Sequence, residues 1–174
     1  RLGVIHPKEN KFSAGKAIKS IAIPSQVIIP LAQHIGAPCQ PIVKKGDKVK
    51  VGTPIGKSVG FVSANIHSSV SGTVLKIDKT LDASGYKRDA VFISVEGDEW
   101  EETIDRSETL IKECHLSAKE IVDKIAAAGI VGMGGATFPT HVKLTPPPGS
   151  KAAVLIINAV DCEPYLTSYH DLML

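Results

Sequence analysis

The sequence predicts an α+β protein in two parts, an all-β part followed by the first part of an α/β domain. Short runs rich in Ile and Val, separated by Gly and Pro, fill the first hundred residues and are typical of strands. An acidic stretch at residues 96–102 follows, then apolar residues at helical spacing, then a continuous apolar run at residues 152–157. We therefore assign residues 1–100 to the β part and residues 101–174 to the α/β part.

Six runs in the β part are predicted to form strands. They are bounded by turn signals such as Lys45-Gly46-Asp47 and Ser84-Gly85. No sustained helical period of apolar residues interrupts them, which makes the prediction all-β. The runs are residues 20–23, 27–31, 41–43, 48–51, 72–77 and 91–95.

A helix and a strand are predicted in the second part. Ser117 and Glu120 have the spacing of a capping box, which satisfies the first free N–H groups of a helix. Core-facing apolar residues follow at 121, 122 and 125, and Gly129 stands where a left-handed cap ends a helix. The β-branched run at residues 152–157 is typical of a strand buried on both faces of a parallel sheet.

Composition excludes several classes of protein. The 174 residues are 43% apolar and 22% charged, with a net charge of +2, which suits a globular chain. The sequence contains no dense cluster of basic residues, so we expect no nucleic-acid partner. Cys39, Cys114 and Cys162 form no CxxC pair, so we expect no disulfide framework and no metal or cluster ligands in this stretch. The chain starts at Arg1 without Met, and we expect it to be a fragment.

The first part carries the pattern of a carrier domain without its carrier residue. Gly46-Asp47-Lys48-Val49, Gly52 and Ile55-Gly56, followed by Val70-Ser71-Gly72-Thr73-Val74, resemble the biotinyl/lipoyl domain. That resemblance implies a barrel-sandwich hybrid of short strands. Carrier domains bear a modified lysine on a hairpin tip between these halves, whereas residues 62–67 contain no lysine here. The expected role is therefore scaffolding or docking.

A Gly-rich loop after the predicted helix is the strongest functional signal. Four glycines fall within residues 129–135, so several backbone N–H groups can approach a phosphate and lie flat under a ring system. Lys143 can add a positive charge beside them. The pattern is not the dinucleotide fingerprint, because it follows a helix and not a strand. A tight helix-to-strand connection is the alternative interpretation.

Residues 129–143 resemble the FMN-binding loop of the NADH-oxidising flavoprotein subunit of respiratory complex I. A second stretch, residues 158–165, resembles the Asn-Ala-Asp-Glu-x-Glu-Pro segment of the same subunit, in which the asparagine binds FMN and the acidic residues face flavin and nicotinamide. Val160 replaces one of its aspartates. The residues that this resemblance implies as cofactor ligands are Gly132, Gly134, Gly135, Ala136, Phe138, Lys143, Asn158, Asp161 and Glu163.

The order of parts is similar to that of the NADH-side flavoprotein subunit of the Rnf electron-transport complex. This resemblance implies a ferredoxin:NAD⁺ oxidoreductase that passes electrons between iron–sulfur clusters, FMN and NAD(H), coupled to ion movement. It implies other Rnf subunits as partners, ferredoxin indirectly, and a peripheral place on the cytoplasmic face of the inner membrane. It places the 4Fe-4S clusters beyond Leu174, so we expect residues 1–174 alone to be inactive and to hold FMN weakly.

Three alternatives remain open from the sequence. A cobalamin reductase of the propanediol-utilisation type shares the Gly-rich loop, but that loop is expected to open its chain. The A subunit of the sodium-pumping NADH:quinone reductase shares the front half, without the complete loop. A non-catalytic docking module is compatible with the lysine-free hairpin.

Overall fold

The computed structural model describes residues 5–82, 84–109, 111–133, 135–154, 156 and 165–167. The chain divides into two units, one formed by residues 23–148 and the other by residues 1–22 with 149–174. The strands are β1 (Gln26–Pro30), β2 (Gln40–Pro41), β3 (Lys48–Val49), β4 (Pro54–Lys57), β5 (Ile66–His67), β6 (Gly72–Leu81) and β7 (Lys87–Val95). The helices are α1 (Ala118–Ala127) and α2 (Thr140–Lys143).

Two antiparallel sheets build the β part of the larger unit. One has the strand order β1-β7-β6-β3 and the other β2-β4-β5. Strands of both sheets contribute to one hydrophobic core, as expected of a sandwich. On β7, Val91 and Ile93 are fully buried, while Phe92 between them is only half-buried. The buried core residues are Ile29, Leu31, Cys39, Val49, Ile55, Ile66, Val74, Val91 and Ile93.

Turns are fixed by residues whose roles the sequence indicates. The Asp47 carboxylate accepts a hydrogen bond from the Lys44 backbone N–H at 2.9 Å, which closes the turn before β3. Gly72 begins β6 with φ +153°, and a Cβ there would lie 1.9 Å from the Ser94 carbonyl oxygen. Only glycine allows these two strands to approach so closely.

The strand predictions are confirmed in part. β1, β6 and β7 occupy predicted runs, and β6 and β7 extend well beyond them, to Leu81 and from Lys87. The prediction of a strand at residues 20–23 is wrong, because these residues are exposed and pair with no described strand. β4 was missed because Pro54 and Gly56 are typical turn residues, and β5 because it has two residues.

Helix α1 confirms the predicted cap at both ends. The Ser117 hydroxyl and the Glu120 carboxylate bond reciprocally to each other's backbone N–H groups. The hydrogen bonds from Ser117 hold the pKa of Glu120 below its ordinary value. At the other end, Gly129 has φ +68° and the Ile130 N–H donates to the Ile125 carbonyl, which is a Schellman cap. The apolar residues at 121, 122 and 125 are half-buried, not core as predicted.

The prediction of a buried strand at residues 152–157 is wrong for the part of this run that the structure describes. Residues 152–154 and 156 belong to no strand, and Val154 and Ile156 are 75% and 83% exposed. A central strand needs a hydrogen-bonded neighbour on each side, and no described strand lies beside these residues. In the same unit, Ser13 Oγ lies 2.7 Å from Thr167 Oγ1, and the Asn10 amide donates to Tyr165 at 3.4 Å.

Candidate functional site

The Gly-rich loop is closed by a short paired neck. Val131 and Pro139 form an isolated antiparallel bridge. The Gly132 N–H donates to the Phe138 carbonyl at 2.9 Å, and the Thr140 N–H donates to the Ile130 carbonyl at 3.0 Å. These bonds hold α1 and α2 at the two ends of one loop, so the residues between the bonds project as a unit.

Beyond the neck, the loop backbone is open. Met133 is 88% exposed, and a Cβ on Gly135 would meet no atom within 4 Å. The backbone N–H groups of Met133, Gly135, Ala136 and Thr137 donate to no acceptor among the described residues. Gly135 and Thr137 both have positive φ, at +84° and +50°. Successive unpaired amides in such a conformation are suited to binding an anion.

Lys143 places a cation on the loop. A Cβ added to Gly132 would lie 2.8 Å from the Lys143 ammonium nitrogen, so the absence of a side chain at Gly132 gives this ammonium its position. Lys143 forms no ion pair with a carboxylate of the described residues. The loop amides without a described acceptor and the Lys143 ammonium are therefore all hydrogen-bond donors. Together they are suited to a phosphate or to electron-rich ring oxygens.

A cleft of about 690 Å³ separates the loop from the edge of the barrel. This volume falls within the range of small-molecule sites. One wall holds Arg88, whose Nε lies 3.3 Å from the Asp82 carboxylate. A backbone hydrogen bond from Tyr86 holds the pKa of Asp82 below its ordinary value, and Arg88 adds to this effect. The lining residues are Pro30, Ala32, Gln33, His34, Ile35, Gly36, Pro38, Leu81, Asp82, Ser84, Arg88, Gly135, Ala136 and Thr137.

The cleft and the loop together leave room for a cofactor. Arg88 is already paired with Asp82. Lys143 lies beside Gly132 of the loop and has no carboxylate partner among the described residues. The open Gly135 and the unpaired amides fit a bound phosphate, and the exposed loop face fits a flat ring. The described part of the loop is thus not collapsed into hydrophobic packing, and its open amides and the Lys143 ammonium are donors of the kind that a flavin phosphate requires.

Comparison with known proteins gives the family. Residues 2–98 match the family model described as the RnfC barrel sandwich hybrid domain. The chain belongs to the RnfC family. Residues 125–174 match a second model, described as the Nuo51 FMN-binding domain, which includes the Gly-rich loop. The predicted barrel-sandwich hybrid followed by the start of an FMN-binding domain is confirmed by these two matches.

Relatives of the RnfC-family chain are similar over nearly all of it. It is 51% identical over 99% of its length to the C subunit of the proton-translocating ferredoxin:NAD(+) oxidoreductase complex of Clostridium ljungdahlii. It is 45% identical over 98% of its length to the C subunit of the Na(+)-translocating complex of Acetobacterium woodii. It is 41% identical to the C subunit of the ion-translocating oxidoreductase complex of Rhodobacter capsulatus. The chain spans 37% and 38% of the first two relatives.

Within the RnfC-family chain, the structure brings together part of the predicted ligand set. Gly132, Gly135, Ala136 and Phe138 lie in one loop, and the Lys143 ammonium lies beside Gly132. Of these residues, Gly135 and Ala136 line the cleft. The Phe138 carbonyl closes the neck, which gives this residue a structural part as well as a predicted cofactor contact. The predicted ligands Gly134, Asn158, Asp161 and Glu163 lie outside the described residues.

Sequence reasoning missed Thr137, His141 and Asn65. Thr137 is the non-glycine with positive φ among the described residues, and no residue pattern signals it. His141 lies inside the resembling stretch and contacts the barrel through Phe61. Asn65 lies in the lysine-free segment, which is not an exposed tip, because Ser63 and Ala64 are buried.

Other reactive groups in the described residues have no arrangement for catalysis. Cys39 donates to the Ala64 carbonyl at 2.7 Å, and burial raises the pKa of its thiol, so it is a packed thiol. Cys114 is exposed, and Cys162 lies outside the described residues. No group of three or more His, Cys, Asp or Glu side chains suited to a metal ion occurs among the residues described. None of the described helices has the length and apolar character needed to cross a membrane.

Proposed function

We propose that the Gly-rich loop of this RnfC-family chain binds FMN as part of an RnfC-type flavoprotein subunit of a ferredoxin:NAD⁺ oxidoreductase complex. The observation that carries the proposal is the exposed loop, in which the backbone amides of Met133, Gly135, Ala136 and Thr137 donate to no described acceptor and the Lys143 ammonium lies beside Gly132. FMN, when bound, supplies the ability to accept electrons singly and to exchange a hydride with nicotinamide.

The residues of the loop have distinct roles in this proposal. The amides of Gly135 and Ala136, with Lys143, bind the phosphate or the ring oxygens by charge-assisted hydrogen bonds. Gly132 and Gly134 leave room for the ring to lie against the backbone. Phe138 stiffens the loop exit, where its carbonyl accepts from Gly132. Loop and lysine thereby orient the cofactor before any partner arrives.

The second stretch completes the proposed site. Asn158 binds FMN, while Asp161 and Glu163 face flavin and NAD(H). The subunit exchanges electrons with ferredoxin through 4Fe-4S clusters in another part of the protein, together with the other Rnf subunits that translocate ions. It lies peripherally on the cytoplasmic face of the membrane. The names of relatives that are 41–51% identical support the ion-translocating oxidoreductase complex and, for two of them, ferredoxin and NAD(+), whereas the residue roles, the clusters and the membrane face rest on the resemblance of the sequence.

Residues 1–174 alone are proposed to bind FMN weakly and to lack NADH oxidase activity. Val154 and Ile156, which immediately precede the second stretch, are exposed instead of buried in a sheet. Ordering an exposed run of this kind on binding lowers the affinity through its conformational entropy. A tightly flavinated and NADH-reducible 174-residue chain would contradict this proposal.

FMN titration of the intact protein tests the assignment of the loop. Flavin fluorescence is followed for the wild type, Lys143→Ala, Lys143→Arg and Lys124→Ala. Removing the ammonium should raise the Kd about tenfold, the lower end for a hydrogen bond to a charged group, and less at high salt. Lys143→Arg should retain most of the affinity. Lys124, in the last turn of α1, is the matched control lysine and should have no effect.

Equal FMN affinity of Lys143→Ala and the wild type would refute the role of Lys143, and no binding by the wild type would refute the flavin site. The docking-module alternative is favoured by one observation, the hydrogen bond from Asn65 of the lysine-free segment to Ala127 at the end of α1. The docking-module alternative predicts that the wild type binds no FMN. For the cobalamin reductase alternative, the loop is expected to open the chain, whereas a barrel precedes it here.

A further inference from the structure

The entry to the Gly-rich loop is fixed against the barrel at Asn65. The Asn65 side-chain amide donates to the backbone carbonyl of Ala127, which is the last residue of α1, at 3.3 Å. Two residues later, Gly129 lies directly against the Asn65 backbone, and a Cβ on Gly129 would be 2.1 Å from the Asn65 carbonyl oxygen. The loop therefore begins at a point of backbone-to-backbone contact that requires glycine.

The exit from the loop is fixed four residues away on the same barrel segment. His141, in α2, has its Nε2 at 3.3 Å from the Phe61 carbonyl oxygen. A carbonyl only accepts, so Nε2 carries the proton. The Phe61 and His141 rings meet edge to face, with centroids 6.5 Å apart and planes at 86°. His141 Nδ1 is buried and bonds to no described residue, so the ring is held by Nε2 and by packing.

The barrel segment between the two contact points is buried and hydrogen-bonded to the rest of the barrel. Ser63 and Ala64 between the two contact points are 1% and 2% exposed. The Ser63 hydroxyl donates to the Ala37 carbonyl at 2.8 Å. The Asn65 side-chain oxygen accepts from the Ser58 N–H at 3.0 Å, so one Asn65 side chain bonds both to the barrel and to α1. A fixed segment of this kind can set the position of whatever is attached to it.

We propose that the loop anchor, defined as Phe61 and Asn65 of the barrel with Ala127, Gly129 and His141, positions the Gly-rich loop for FMN. Asn65 and His141 are positioning residues, because they act through the loop and not by touching the cofactor. The barrel segment at residues 61–65, which overlaps the segment that would carry the lysine in a carrier domain, serves here as a platform for the flavin loop. This inference rests on the proposed flavin site.

The anchor can be broken without disturbing the barrel. Asn65→Asp keeps the oxygen that accepts from Ser58, but it removes the donor to Ala127 and sets a carboxylate against a carbonyl. His141→Leu removes the donor to Phe61, whereas His141→Gln keeps an amide N–H in about the position of Nε2. His115→Leu is the matched control, because His115 is exposed and lies outside the loop.

Three measurements on the intact protein test the anchor. Amide hydrogen exchange of Gly132 and Thr140, measured without flavin, reports the closed neck. FMN titration reports the site, and the urea midpoint reports the barrel. Asn65→Asp and His141→Leu should each speed neck exchange and raise the FMN Kd by roughly fivefold, the effect of one hydrogen bond. The urea midpoint should not change, and His141→Gln should restore most of the affinity.

The outcomes separate the anchor from the flavin site. Unchanged neck exchange and Kd in both anchor variants would overturn the inference, as would a fall in urea midpoint that accounts for the loss of affinity. If the wild type bound no FMN while the variants still opened the neck, the proposed function would fail and the anchor would remain as a structural contact only, without the positioning role. Faster exchange with weaker FMN binding and an unchanged barrel supports both.

Discussion

Gly129→Ala gives a sharp test of the loop anchor, because it adds one methyl group at the closest contact between loop and barrel. The new Cβ would lie 2.1 Å from the Asn65 carbonyl oxygen and 3.0 Å from its carbon. Carbon–oxygen contacts in proteins are ordinarily about 3.3 Å or longer. The loop entry must therefore move by roughly 1 Å, and the Asn65–Ala127 hydrogen bond is lost with that movement.

The size of the effect follows from two terms. An alanine at φ +68° costs about 1–2 kcal/mol in left-handed strain. Forced overpacking costs about 1–3 kcal/mol more. The Asn65–Ala127 and His141–Phe61 hydrogen bonds contribute only about 1 kcal/mol each. Lifting only the loop entry gives up the Asn65–Ala127 bond, about 1 kcal/mol, which is at the lower end of the cost of compressing the contact. We therefore expect the loop entry to lift while the barrel stays folded.

Gly46→Ala is the matched control, because Gly46 also has positive φ, at +91°, but a Cβ there meets no atom within 4 Å. It lies in a barrel turn and should lower the urea midpoint without changing neck exchange. Gly129→Ala should do the reverse, with faster exchange at Gly132 and Thr140 and weaker FMN binding by the intact protein. The reasoning is refuted if Gly129→Ala exchanges and binds FMN like the wild type, or if both variants affect the barrel alike.

Four further predictions concern the rest of the larger unit. Ser117→Ala should cost about 1 kcal/mol of helix stability, seen as faster exchange of α1 amides, and no change would contradict the capping box. Ile93→Ala should destabilise the barrel by about 2–5 kcal/mol in urea, because Ile93 is fully buried; a change below about 1 kcal/mol would mean that the core is not packed there. A thiol reagent should label Cys114 at once and Cys39 only on unfolding, since burial raises the pKa of Cys39; equal rates would contradict this. Burial lowers the pKa of His67 below its ordinary value of 6.5, so the unfolded chain takes up a proton at this residue more readily than the folded chain does. The free energy of unfolding should therefore fall as the pH drops below 6.5. His67→Gln should reduce this pH dependence in urea unfolding.

The sequence predicts those features that depend on neighbouring residues. The capping box of Ser117 and Glu120 and the left-handed end of α1 at Gly129 are local, and both are as expected. β6 and β7 are longer than predicted because their outer ends alternate charged and polar residues, such as Lys79 and Arg88, which hide the strand pattern. β4 is hidden by Pro54, which is tolerated at the first residue of a strand.

The candidate site is predictable only in its loop. Four glycines before Lys143 indicate an anion-binding backbone, and the open amides are consistent with it. The contact of Gly129 with Asn65 joins residues far apart in the chain. A glycine that ends a helix and a glycine that admits a carbonyl look the same in a sequence, so only the structure assigns both roles to Gly129.

The loop anchor gives a physical reason for placing a barrel before a flavin loop. Gly loses more conformational entropy on ordering than any other residue, and the loop holds Gly132 and Gly135 with few side chains to pack. A free loop would have to order itself at the moment of binding, and this cost would subtract from affinity for the cofactor. A neck closed by Gly132 and Phe138, with both ends bonded to a barrel segment whose central residues are buried, meets this cost during folding. The barrel thereby contributes to affinity without touching the flavin.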